Sequence, residues 1–146
     1  MTETADSEPK PFRLLPRLDD TNREFWTSGE RGELCFWRCQ DCGFWIHPHS
    51  PRCPACLSKD LEVERVSGAA TVHASTTNHQ PWIPGLDPPY NIAIVELPEQ
   101  VGLRLTTSIV GCPPEDVDIG MPVLVTFEQY DDVWLPFFRP DLTVLS

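Results

Sequence analysis

The 146-residue sequence contains no run of 18 consecutive apolar residues, so we expect no membrane-spanning helix of ordinary length. Its first eleven residues are polar and acidic, and they lack the basic and apolar regions of a signal peptide. The chain also lacks a Gly-rich phosphate loop, an internal repeat and a low-complexity segment. From these absences we predict a cytoplasmic protein without a membrane partner.

Basic residues are scarce, and they are scarcest in the second half of the chain. Lys and Arg number 11 against 22 Asp and Glu, which gives a net charge of −11. Residues 66–146 contain only Arg104 and Arg139 as basic residues. Nucleic-acid affinity comes mostly from basic side chains that displace counterions. The composition therefore argues against a nucleic-acid partner, most strongly for the C-terminal half.

Four of the six cysteines form two CxxC pairs, separated by ten residues. Each pair is typical of a tight turn whose amides point at the thiolates, and two such turns can place four sulfurs about 2.3 Å from a zinc ion. We predict one structural Zn²⁺ bound by Cys39, Cys42, Cys53 and Cys56. Iron also fits four sulfur ligands, but zinc is favoured. A closed set of four cysteines leaves no open coordination position, so we do not expect catalysis at the metal.

Three further residues near the pairs are candidate ligands. Cys35 lies four residues before Cys39, a spacing that makes a poor metal turn, and we expect it to be a small buried residue. His47 and His49 lie between the two pairs, where they are surplus to four cysteines.

No candidate nucleophile has a recognisable partner in the sequence. Cys112 precedes Pro113 in an acidic loop, and acidic surroundings raise the pKa of a thiol and lower its reactivity. His73 and His79 flank a Thr- and Ser-rich segment, but a general base would need a partner group that the sequence does not reveal. We therefore predict no catalytic residues in this chain, with a stand-alone hydrolase as a minor alternative.

The pattern of apolar residues predicts a mainly β protein with four parts. They are a flexible tail over residues 1–18, a helix segment over 19–33, a zinc ribbon over 34–66 and a five-stranded barrel of the OB type over 67–146. Thr21 and Glu24 have the spacing of a capping box, which places the start of the short helix at Thr21. Strands are predicted at residues 34–38, 61–66, 69–77, 90–97, 103–110, 123–127 and 133–138, with one helical turn at 114–117.

Aromatic residues in two Pro-rich segments suggest an interface. Trp82 and Ile83 lie in a loop with four prolines between residues 78 and 89, and Phe138 lies between Pro136 and Pro140. Apolar side chains that a small barrel cannot shield often mark a contact surface. The alternative for Trp82 is that the loop folds back and buries it.

The order of these motifs resembles a known family of bacterial and archaeal proteins. Its members join a rubredoxin-like zinc ribbon to an acyl-CoA-associated OB-fold, long described as a domain of unknown function. The resemblance covers roughly residues 20–140. It rests on these matching segments: Glu24-Phe25-Trp26, Gly32-Glu33-Leu34, the two cysteine pairs with Gly43 and Pro54, Ser67-Gly68, Pro89-Tyr90, Ile94-Val95-Glu96-Leu97, Gly120-Met121-Pro122-Val123 and Leu135-Pro136-Phe137-Phe138.

The resemblance implies an accessory role. Such proteins are similar to subunits that dock on thiolase-superfamily enzymes, including acyl-CoA thiolases and retro-aldolases that shorten steroid side chains. The partner there supplies the catalytic groups, and the acyl-CoA substrate is shared within a heterotetramer or larger complex. A zinc-ribbon and OB module that binds nucleic acid is the alternative. The residues expected to form the acyl-CoA or partner surface are Phe25, Trp26, Trp82, Ile83, Tyr90 and Phe138.

Overall fold

The computed structural model describes residues 13–82 and 87–142, which form two small sheets preceded by a short helix. The elements, in chain order, are α1 (Arg23–Thr27), a 3₁₀ helix (Ser28–Arg31), β1 (Cys35–Cys39), β2 (Trp45–Ile46), β3 (Leu61–Arg65), β4 (Ala69–Asn78), β5 (Tyr90–Glu96), β6 (Arg104–Thr107), a 3₁₀ helix (Pro114–Asp116), β7 (Pro122–Tyr130) and β8 (Val133–Pro140). Within the described ranges, no helix has both the length and the apolar character needed to cross a membrane.

The start of α1 differs from the predicted capping box. The N-cap residue is Asn22, and no side chain caps the helix there. Instead, Asp19 Oδ1 accepts hydrogen bonds from the backbone N–H groups of Thr21 (2.9 Å) and Asn22 (3.0 Å) and from the Thr21 hydroxyl (2.7 Å). The prediction was wrong because a carboxylate two residues earlier engages Thr21, and its hydroxyl then serves as a donor rather than as a cap. These bonds, led by the one from the Thr21 hydroxyl, lower the pKa of Asp19.

The first sheet is the zinc ribbon, with β1 between β2 and β3 in antiparallel pairing. Its edge strand β2 is held to the barrel by Gln100. The Gln100 Oε1 accepts from the backbone N–H of Trp45 at 2.8 Å, and its Nε2 donates to the Trp45 carbonyl at 3.0 Å. One amide side chain thus substitutes for a neighbouring strand at the exposed edge of the ribbon.

The second sheet has the order β6-β5-β4-β7-β8 and is antiparallel throughout. A parallel bridge between Ile109 and Phe138 brings its two edges together, so that the sheet forms a nearly closed barrel. This confirms the predicted mainly β fold with a five-stranded OB barrel. Strand β6 ends earlier than expected, because Ser108 and Val110 leave β5 and bond to Phe138 on β8.

One apolar core runs from the ribbon into the barrel. It contains Leu34, Phe36 and Trp45 of the ribbon segment together with the inward-facing residues of β4 to β7, and Phe138 of β8. Phe138 has 0% of its surface exposed. Its predicted place on a partner surface is therefore corrected: it alternates inward along β8 and packs in the barrel.

Candidate metal centre and adjoining groove

The two cysteine pairs occupy equivalent turns. The N–H of Gly43 donates to the Cys39 carbonyl at 3.0 Å, and the N–H of Leu57 donates to the Cys53 carbonyl at 2.8 Å. The residue that follows each pair has a positive φ, +83° for Gly43 and +68° for Leu57. Glycine adopts this conformation freely, whereas leucine does so at a cost of about 1–2 kcal/mol. The second turn therefore needs support from outside its own backbone.

Four sulfur atoms converge where these turns meet. Cys39 Sγ lies 3.6 Å from Cys56 Sγ, Cys42 Sγ lies 3.6 Å from Cys53 Sγ, and all four lie within 4.8 Å of one another. A tetrahedral zinc ion with bonds of about 2.3 Å requires sulfur separations of roughly 3.8 Å. The donor set therefore fits a tetrahedral metal without rearrangement of the backbone.

The ionisation of the four thiols also favours a bound cation. A hydrogen bond from the backbone N–H of Cys42 lowers the pKa of Cys39 to about 6. The Ser58 backbone acts in the same direction on Cys56, but desolvation and hydrogen bonds to the other thiols outweigh it and raise the pKa of Cys56 to about 12. The four groups cannot all become thiolates beside one another unless a cation neutralises them. Zinc would remove this conflict and link the two turns.

The three further candidate ligands near the cysteine pairs, Cys35, His47 and His49, make packing contacts. Cys35 is 4% exposed in the core, and burial raises the pKa of its thiol. The ring of His47 packs against Phe25 and Phe36, with centroid distances of 5.0 and 4.7 Å. His49 packs 4.7 Å from the ring of Trp37. Within the described residues, the metal-binding group consists of the four cysteines alone.

The candidate nucleophile and bases lie apart from one another. Burial, followed by the charges of Asp116 and Glu115, raises the pKa of Cys112 and holds its thiol in the protonated form. His73 Nδ1 lies 4.0 Å from Glu96 Oε1, which also accepts a hydrogen bond from Arg104 Nε at 2.9 Å. Arg104 and Glu96 thus form an ion pair on the outer face of the barrel, and His73 lies beside it.

A groove of about 990 Å³ lies beside the ribbon, between α1 and the barrel. Phe25 and Trp26 contribute one wall, Phe36 and Trp37 of β1 a second, and Tyr90 the barrel side. No Asp or Glu lines it within the described residues, although the chain has 22 of them, and its cationic residues are Arg13 and Arg104. It is therefore a mainly apolar cleft in an acidic protein, and one of its two arginines, Arg104, is paired with Glu96.

The structure separates the predicted surface residues into four groups, of which the buried Phe138 is one. Phe25, Trp26 and Tyr90 are half-buried and line the groove. Trp82 lies outside it, 73% exposed, and its Nε1 donates to Asn78 Oδ1 at 2.9 Å. Ile83 lies outside the described residues.

Two features of the groove were missed from sequence. Arg13 was assigned to the tail, yet its guanidinium lies 4.8 Å from the centroid of the Phe137 ring. Pro136 lies within strand β8 and lines the groove. Proline inside a strand signals an edge or an interruption of pairing, and this signal was available in the sequence.

Known proteins share both the ribbon and the barrel. The family profile described as "ChsH2, rubredoxin-like zinc ribbon domain" matches residues 26–62, and "ChsH2, C-terminal OB-fold domain" matches residues 63–128. The chain is also similar to a DUF35 domain-containing scaffold protein of Methanocaldococcus jannaschii, with 40% identity over 68% of this chain and 71% of that protein.

Two longer relatives carry enzyme names. A "Probable enoyl-CoA hydratase alpha subunit" of Thermomonospora curvata is 35% identical over 95% of this chain. A 3-oxo-4,17-pregnadiene-20-carboxyl-CoA hydratase alpha subunit of Mycobacterium tuberculosis is 35% identical over 80% of it. The chain spans only 43% and 37% of the lengths of these two proteins.

A solved structure gives the corresponding match in three dimensions. A chain of an Ltp2-ChsH2(DUF35) aldolase superposes with a TM-score of 0.77 and 34% identity, covering 86% of this chain and 98% of that one. A DUF35 protein of unknown function from Sulfolobus solfataricus shares the fold, with a TM-score of 0.59 and 18% identity. With both family profiles matched in order over residues 26–128, the chain belongs to the ChsH2-type (DUF35) family of zinc-ribbon and OB-fold proteins.

Proposed function

We propose that this chain is a non-catalytic accessory subunit of an acyl-CoA thiolase or retro-aldolase complex. It docks on a thiolase-like catalytic subunit in a cytoplasmic heterotetramer or larger assembly, and it completes the acyl-CoA site that the partner provides. One zinc ion, bound by the four cysteines, has a structural role in holding the two cysteine turns of the ribbon together.

The observation that supports this proposal best is the apolar groove between the ribbon and the barrel. Exposed aromatic residues on a small barrel are costly in water unless another surface covers them. The groove is lined by aromatic rings from α1 and β1, and it carries no carboxylate among the described residues. It suits an acyl chain or an apolar partner surface, and Arg13 suits an anionic group.

The related proteins favour the thiolase and aldolase reading over hydratase activity. This chain covers nearly the whole of the chain in the aldolase structure but less than half of each hydratase alpha subunit. Hydratase chemistry in those subunits can therefore reside in the part that has no counterpart here. Neither alternative function gains a specific observation: the barrel half is acidic, and the thiol of Cys112 is held protonated.

Affinity purification of the tagged chain from its native host tests the proposal. We expect a thiolase-like protein to co-purify, and we expect the complex, but not the isolated chain, to turn over an acyl-CoA. Trp82→Ala should weaken both complex formation and turnover. Val101→Ala is a matched control, because Val101 is 93% exposed on the turn between β5 and β6, at the opposite end of β5 from the Trp82 loop.

Absence of a thiolase-like protein under several purification conditions would contradict the proposal. So would tight binding of acyl-CoA by the isolated chain, together with a Trp82→Ala variant that assembles and turns over substrate normally.

A further inference from the structure

The groove contains an interruption in the closure of the barrel. The barrel closes along a seam between the β6 segment and β8. At one end of this seam, the N–H of Phe138 donates to the Ser108 carbonyl at 3.2 Å, and the N–H of Val110 donates to the Phe138 carbonyl at 2.7 Å. These two bonds are one repeat of a parallel ladder. The next repeat would pair the residue at position 136 with Thr106 and Ser108.

Pro136 prevents that next repeat. It has no N–H to donate to the Thr106 carbonyl. Its own carbonyl accepts a hydrogen bond from the Thr107 hydroxyl at 2.9 Å instead of continuing the backbone ladder. Pro136 pairs with Phe127 in a position where its backbone faces away from β7, so the proline leaves the β7–β8 ladder intact while it opens the seam toward β6.

The outer edge of β6 is consequently open along the groove. The backbone N–H of Leu97 donates to the Leu103 carbonyl. Because backbone groups alternate along an antiparallel strand, those of Leu105 and Thr107 point toward β5 and those of Arg104 and Thr106 point away from it. Within residues 13–82 and 87–142, the backbone groups of Arg104 and Thr106 that face outward have no hydrogen-bond partner. An open strand edge of this kind is a template for pairing with another extended chain.

The charge of the groove restricts which chain can pair there. No acidic side chain lines it among the described residues. Arg104 is already paired with Glu96, whose Oε1 accepts from Arg104 Nε at 2.9 Å, whereas Arg13 Nε is buried without a hydrogen-bond partner in the described part of the chain. Most of the remaining lining is aromatic or aliphatic. A basic segment would be repelled, whereas an apolar segment with a carboxylate would be complementary.

From these observations we infer that the open edge of β6 at Arg104–Thr106 binds an extended, apolar segment of a partner chain, bearing at least one carboxylate, by strand addition. This inference rests on the proposed function for the existence of a partner subunit. It adds the surface and the mode of recognition: main-chain hydrogen bonds to Thr106, apolar side chains against the rings of Phe25 and Trp26, and a carboxylate beside Arg13.

The test separates the backbone of Thr106 from its side chain, in the complex isolated from the native host. Thr106→Pro removes the outward N–H but leaves the β5–β6 ladder intact, because that N–H does not face β5. Thr106→Val keeps the N–H and a similar shape. We expect Thr106→Pro to weaken partner binding at least tenfold and Thr106→Val to bind as the wild type, with unchanged metal content and circular dichroism in both. Pro136→Ala restores an N–H that can close the seam, and it should weaken binding without lowering the unfolding midpoint.

Hydrogen exchange provides an independent measurement. The amides of Arg104 and Thr106 should exchange more slowly in the complex than in the free chain. Equal binding by the Thr106→Pro and Thr106→Val variants, or unprotected amides in a stable complex, would overturn the inference and leave the proposed function standing. Protection of these amides by S-butyryl-pantetheine but not by the partner would also overturn it, since the edge would then bind a small amide-bearing ligand.

A captured protein that is not thiolase-like but responds to Thr106→Pro would support strand addition and refute the proposed function. Capture of no protein by the wild-type chain would overturn both.

Discussion

The metal-binding end of the ribbon and the barrel differ in what holds them together. Among the residues that the structure describes, the ribbon end has its own cluster of three buried residues, Cys39, Ile46 and Cys53, whereas the cluster that fills the barrel and the base of the ribbon has fourteen. Two cysteines in so small a cluster contribute little apolar area. The cysteine turns therefore depend on a metal for stability, and the barrel depends on packing, so each region can be perturbed without direct damage to the other.

Removal of the metal should produce the largest difference in stability between the two regions. Structural zinc contributes roughly 10–16 kcal/mol in small zinc-binding peptides. We expect the purified chain to contain one zinc per molecule, measured by elemental analysis. Chelation or Cys39→Ser should abolish exchange protection over residues 39–62 while the amides of Val95 and Val123 stay protected. Cys112→Ser should retain the metal. Iron in the purified chain, or simultaneous loss of protection in the barrel, would contradict this comparison.

The reciprocal change is truncation of a core residue in the barrel. Phe138 has 0% exposure, and replacement of a buried phenylalanine by alanine typically costs about 3–5 kcal/mol. Phe138→Ala should therefore lower the free energy of unfolding by that amount in urea, with the zinc content unchanged. Trp82→Ala is the matched surface variant. Because Trp82 is 73% exposed, the free energy of unfolding of this variant should stay within about 0.5 kcal/mol of the wild-type value. Equal losses in the two variants would refute the assignment of Phe138 to the core.

These two aromatic residues also show how far the sequence could lead. The spacing of the cysteine pairs predicts the donor set, since few other arrangements use four cysteines in this way, and alternation predicts most strands of the barrel. Exposure of individual aromatics is a tertiary property. Phe138 was predicted as the last residue of a strand, beside two prolines, and the pairing of β8 with β7 turns it inward. The groove needs residues distant in sequence, such as Arg13, Phe36 and Pro136, so no local pattern reveals it.

A smaller effect is expected where the two regions meet. Gln100 bonds both backbone groups of Trp45 and so fixes ribbon strand β2 against the barrel. Gln100→Ala leaves a partly buried donor and acceptor without partners, at a cost of roughly 1–3 kcal/mol. Gln100→Glu keeps the acceptor for the Trp45 N–H but presents no donor to its carbonyl, so its unfolding free energy should fall between those of the wild type and Gln100→Ala. Val101→Ala, in the same turn, should leave stability unchanged, and a Gln100→Ala variant as stable as the wild type would show that the amide does not join the regions.

The smallest predicted effect concerns acid. Burial between the rings of Phe25 and Phe36 lowers the pKa of His47 below its ordinary value of 6.5. Below about pH 6.5 the unfolded chain takes up a proton that folded His47 resists, so this contribution to stability is present above that pH and is lost as the pH falls through the folded pKa. His47→Phe should therefore lose less unfolding free energy than the wild type between pH 7.5 and 5 in urea titrations.

His49→Phe is the matched aromatic substitution, because it changes the ring beside Trp37 instead. Acid also protonates the metal-binding thiols, but this occurs in all three proteins, so the difference among them isolates the aromatic contact between α1 and the ribbon. If His47→Phe and the wild type lose stability in parallel, the acid sensitivity of the chain belongs to the metal-binding end, and the Phe25–His47–Phe36 stack contributes packing alone.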